Sequence, residues 1–115
     1  MNSNSILDLD DVLARLGGDK SLFVEVAEIF IEDFAVHLGS IKDEESSSKE
    51  VSRAFHSVSG AAGNIGAKDL SKLSKEMELL AAEKAVGSEQ LDVFTDLANK
   101  TIEVVREAIV ELGKA

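Results

Sequence analysis

The sequence contains no cysteine, proline, tryptophan or tyrosine, and its only aromatic residues are five phenylalanines. Without cysteine the chain has no disulfide, no thiolate nucleophile and no cysteine-ligated zinc or iron–sulfur site, a pattern that fits a reducing compartment. Positive charge is also scarce: 12 Lys and Arg stand against 22 Asp and Glu, for a formal net charge of −10. The basic residues form no run, so nucleic acid, whose binding draws on clustered Lys and Arg, is excluded as a partner. The acidity itself reads as solubility. No stretch approaches the roughly 20 apolar residues of a membrane span, which excludes membrane insertion, and the first residues lack a charged-then-apolar leader pattern. A cytoplasmic protein is expected.

What is abundant is Ala, Leu, Val, Glu and Lys, the composition of a helical bundle with an aliphatic core. At 115 residues the chain makes one domain over 1–115, with residues 1–6 as a flexible tail. Asp8 caps a short helix through residue 16, and Gly17-Gly18 ends it. A long helix over residues 19–41 carries Leu22, Val26, Ile29, Phe30, Phe34, Leu38 and Ile41 as its apolar stripe. After a serine-rich loop at 42–48, Val51, Phe55, Val58, Ala62 and Ile65 trace the buried face of the next helix, which Gly63-Asn64-Ile65-Gly66 terminates. Leu70, Leu73, Met77, Leu80 and Ala81 form the seam of a further helix that fades at residues 85–87. Ser88 reads as the N-cap of a last helix with Leu91, Phe94, Ala98, Ile102, Val105, Ile109 and Leu112 inside. Short connections between long amphipathic helices predict an all-α, antiparallel up-down-up-down four-helix bundle with a short extra N-terminal helix.

The chemistry narrows to two histidines. His37 has Asp33 four residues before it, the spacing of an exposed intrahelical pair. His56 stands in Arg53-Ala54-Phe55-His56-Ser57-Val58-Ser59-Gly60-Ala61-Ala62-Gly63, just off the apolar face. Its neighbours one turn on are Ser59 and Gly60, with Gly63 beyond, and none can shield the ring. A glycine inside a helix costs about 1 kcal/mol relative to alanine, so two beside a histidine point to a docking surface with a nucleophile in it. A di-metal bundle would show Glu-x-x-His on two helices, and no such motif occurs. Ser57 and Ser59 share a helix with His56 and lack an elbow, and the glycine-rich stretch lacks a Lys-Ser/Thr ending, which excludes serine hydrolysis and a nucleotide site. A neutral imidazole that accepts a phosphoryl group and passes it on fits what remains. No carboxylate cluster is tied to His56 along the chain, so Mg²⁺ and most charge stabilisation would come from a partner.

The run from Ala54 through Ala67 resembles the His-x-x-Lys-Gly segment of histidine phosphotransfer (HPt) domains, and the likeness extends over nearly the whole chain. Residues 7–19, the Phe30-Ile31-Glu32-Asp33-Phe34 stretch, Leu70, Leu73 and Met77-Glu78 are similar to the family as well. The resemblance implies a phosphorelay intermediate: His56 takes a phosphoryl group from the aspartate of a receiver domain and passes it to another, with response-regulator receivers and a hybrid sensor histidine kinase as partners. It implies no kinase activity and no cofactor of the chain's own. Gly60 would be the clearance beside the ring, and Gly63, Phe30, Phe34 and His37 would join it as docking residues. Ser59 stands where the family has Lys, and its hydroxyl would donate a hydrogen bond to phosphate. The rival reading is a helical-bundle interaction module in which His56 is only a contact residue. A start at Met1 favours a separate protein.

Overall fold

Apolar residues spaced three and four apart give each long segment one face to bury. The computed structural model describes residues 3–113, which form six helices: α1 (Ser3–Ile6), α2 (Leu9–Arg15), α3 (Lys20–Lys42), α4 (Ser48–Asn64), α5 (Lys68–Ala82) and α6 (Ser88–Gly113). Helices α3 and α5 lie diagonally, each packed against α4 and α6. With short links between them, α3 to α6 are the expected antiparallel four-helix bundle, and α2 is the short helix before it. Among the described residues no helix is long and apolar enough to cross a membrane.

Phenylalanines fill the middle. Phe55 meets Phe94 edge-on at 5.0 Å between ring centroids, Phe34 lies 6.3 Å from Phe94, and Phe30 stacks on Phe34 at 6.2 Å. The buried stripe of α3 is Phe23, Ala27, Phe30, Phe34 and Ile41, rotated from the expected one. Leu22 and Ile29, expected inside, are 37% and 53% exposed. The larger Phe23 takes the inward position, because a helix can aim only one of two adjacent residues at the core. Ser74 and Thr101 are buried with the apolar side chains, and each hydroxyl donates to a carbonyl one turn back, Leu70 and Leu97, at 2.7 Å.

The helix ends obey local chemistry. Asp8 and Asp19 cap α2 and α3 by accepting from the amides of Asp11 and Leu22, and Ser47 and Glu50 form a reciprocal capping box on α4. Helices α2 and α4 end with Gly17 and Gly66 at φ +69° and +84°. The amide after each glycine, Gly18 and Ala67, donates back to Leu13 and Ala62 at 2.8 Å. Helix α5 ends the same way on Lys84 at φ +57°, with no glycine to mark it. The cap of α6 falls one residue earlier than expected: Gly87, not Ser88, accepts from Leu91 and donates its own amide to Gln90 Oε1 at 3.0 Å.

Two features near the N-terminus bear on the site. The tail expected over residues 1–6 is instead a helical turn from Ser3, because Ile6 and Leu7 have core to enter and are 2% and 6% exposed; Met1 and Asn2 lie outside the described residues. Helix α2 then closes the end of the bundle where α4 turns into α5. The Asp8 amide donates to the Gly66 carbonyl at 2.8 Å, Lys68 Nζ pairs with Asp8 at 2.8 Å, and Arg15 reaches the Gly63 carbonyl at 3.4 Å.

Candidate functional site

Phe55, Val58 and Ala62 fix the buried face of α4, so the residue after Phe55 projects about 100° away from it. His56 therefore stands outward, and its side chain is 75% exposed. Beyond the turn, α5 runs back along α4 and brings side by side residues that lie equally far from Ala67. A Cβ on Gly63 would sit 3.4 Å from Ser71 Oγ, Ser59 and Lys75 line one hollow, and His56 meets Glu78. Two hydrogen bonds lock this register on either side of the histidine. Ser52 Oγ donates to the Glu78 carbonyl at 3.1 Å, and Ser71 Oγ donates to the Ser59 carbonyl at 2.9 Å.

The His56 ring is oriented by that neighbour helix. Its Nδ1 lies 3.1 and 3.2 Å from the two carboxylate oxygens of Glu78. A carboxylate oxygen accepts, so the ring tautomer that fits this contact has its proton on Nδ1 and its lone pair on Nε2. Around the ring is an open hollow of about 420 Å³ lined by His56, Ser59, Gly60, Lys75, Glu78 and Leu79. Leu79 is 69% exposed, an apolar side chain at the rim that a partner surface can cover.

The expected residues sort clearly by position. Gly60 faces open space, with no atom within 4 Å of where a Cβ would stand, so the hollow is open on that side of the ring. Ser59 is 4% exposed and forms the floor of the hollow, a poor place from which to reach a phosphate. Gly63 lies beside Ser71 on α5, where a Cβ would make ordinary contact with its hydroxyl, and does not line the hollow. Phe30 and Phe34, expected to dock a partner, are core residues at 4% and 6% exposure; the stripe that made them conspicuous is what buries them. His37 is half-buried on α3, away from the lining of the hollow, and forms no pair with Asp33. Lys75 is the residue that the sequence reading does not display, and Glu78, noted there only as part of the family likeness, carries no sign along the chain of its contact with His56. Counting outward from Ala67 along both helices would have paired Glu78 with His56 and Lys75 with Ser59. Among the described residues no three His, Asp or Glu side chains converge as a metal site.

A family model described as the Hpt domain matches residues 21–113, a span from α3 to the end of α6 that contains the whole His56 hollow. No curated protein and no solved structure matches the chain. The match covers most of the chain and spans the four-helix bundle with its exposed His56: the chain belongs to the Hpt domains, the histidine phosphotransfer domains of two-component phosphorelays.

Proposed function

We propose that His56 is the phosphoryl carrier of this domain, taking the group from the aspartyl phosphate of one receiver domain and delivering it to the aspartate of another. The donor is the receiver of a hybrid sensor histidine kinase and the acceptor a response regulator, both in the cytoplasm. The observation that carries this reading is the pairing of His56 Nδ1 with Glu78 on a side chain that is 75% exposed, which leaves Nε2 open to a partner.

In the forward step the Nε2 lone pair attacks phosphorus, an N–P bond forms, and the P–O bond to the partner aspartate breaks with its electron pair left on that carboxylate. The ring gains positive charge as it attacks, and Glu78 stabilises the Nδ1–H that shares it. Return to a second aspartate reverses the same bonds. Mg²⁺ belongs to the receiver's side of the complex, where it offsets the charge of the phosphoryl oxygens. Gly60 leaves room for the receiver surface to bring its phosphoaspartate to the ring.

The test is to incubate the protein with several phosphorylated receivers and Mg²⁺ and to look for acid-labile, alkali-stable phosphate. Label is expected on the wild type and absent from His56→Gln. Unlabelled wild type, or equal label on both proteins, would overturn the carrier role and leave an interaction module.

A further inference from the structure

We infer that Lys75, reaching from α5, is the phosphate-binding cation of the His56 site. The inference rests on the carrier role of His56 and adds the group that holds the phosphoryl oxygens once they arrive. A phosphoryl group brings nearly two negative charges near neutral pH. Here it would arrive on a ring whose other nitrogen is already bonded to the Glu78 carboxylate, in a chain of net charge −10. Like charges at such short range oppose the step unless a cation stands nearby. The hollow offers one: besides His56 itself, Lys75 is the basic residue among its six lining residues.

Three observations favour Lys75 over the other basic groups. It is exposed and makes no ion pair with any described residue, so its ammonium is not committed elsewhere. It stands directly across the hairpin from Ser59, because both lie equally far from Ala67, and Ser59 is too buried at the floor of the hollow to reach outward. Arg53, one turn before His56, lines a different hollow with Lys49 and Ala82. The flexible lysine stem can swing its three donors toward oxygens on Nε2. Lys75 thus neutralises from α5 what α4, with serine at position 59, does not.

The experiment compares wild type, Lys75→Ala, Lys75→Arg, Lys72→Ala and the double variant Ser59→Lys with Lys75→Ala, all as full chains. Each is labelled by a phosphorylated receiver with Mg²⁺ and, separately, by phosphoramidate, a small donor that needs no docking. Lys75→Ala is expected to slow labelling about tenfold with both donors, the effect of losing one charge-assisted hydrogen bond. Lys75→Arg should retain the wild-type rate within about threefold, and Ser59→Lys should restore the rate to Lys75→Ala. Lys72, exposed one turn away and outside the hollow, controls for net charge and should label normally. Melting curves matched to wild type exclude a folding defect. Equal labelling of Lys75→Ala and wild type overturns the inference while leaving His56 as carrier, as does an equal loss in Lys72→Ala. Failure of the wild type to label with any receiver is the separate outcome that removes the carrier role itself.

Discussion

Gly60 and Phe34 drew notice in the sequence for the same reason, nearness to a presumed docking face, and the structure separates them by what surrounds each. Phe34 touches Phe30 and Phe94 in the core, whereas Gly60 touches nothing where its side chain would be. A glycine with no steric neighbour in mid-helix is a local loss of stability, since alanine there is favoured by about 1 kcal/mol. Gly60→Ala is therefore expected to raise the free energy of unfolding by about that amount in urea titrations. Gly60→Leu should fold as well as wild type but lose most phosphotransfer from a receiver, while labelling by phosphoramidate persists. A Gly60→Leu protein that transfers at the wild-type rate would show that the receiver does not approach over this position.

At the scale of elements the site is a property of the α4–α5 hairpin. The hairpin depends on Gly66, whose φ of +84° disfavours any side chain and whose Cβ would meet the Asp8 carbonyl at 2.8 Å. Gly66→Ala should cost about 2 kcal/mol of stability, measured by urea unfolding, and should blur the register that sets His56 against Glu78. The helices themselves were legible in the sequence, because apolar spacing and capping residues are local signals: Asp8, Gly17-Gly18 and the Gly66 stop all fall where expected. The α5 stop was not, since Lys84 adopts a glycine-like conformation under the pull of carbonyls at Leu80 and Ala81. The roles of Glu78 and Lys75 beside His56 were hidden for a different reason. Their relation to His56 exists only across two helices, and a motif read along one helix has no place for them.

Across the whole molecule, α2 ties the N-terminal segment to the turn through Asp8 and Lys68. The hydrogen bond from Lys68, aided by the Asp11 amide, holds the Asp8 carboxyl below its usual value, and the same bond raises Lys68. A carboxyl depressed on folding stabilises the protein above its unfolded value of about 3.9, and that contribution is lost as pH falls through the lower folded value. Lysine runs the other way: its contribution is present below about pH 10.4 and is lost as pH rises through the raised folded value. The Asp8–Lys68 pair should thus support the fold between those limits. Asp8→Asn keeps a capping side chain and removes the charge, so it should melt below wild type at pH 7, with the gap closing as the pH is taken below 3. A gap that stays constant with pH would assign the loss to capping and not to the ion pair. The folding of residues 3–6 onto this end could not be read in advance, because Ile6 alone carries no period.

The link between α4 and α5 at residues 65–67 is the shortest between any two helices of the bundle. Loops usually absorb insertions with little penalty. This one cannot, because each added residue would rotate the α5 face by about 100° and carry Glu78 and Lys75 away from the imidazole together. The length of a connection that touches no phosphate is in this sense part of the reactive centre: it works as a gauge block, setting the reagents at their distance without being one of them.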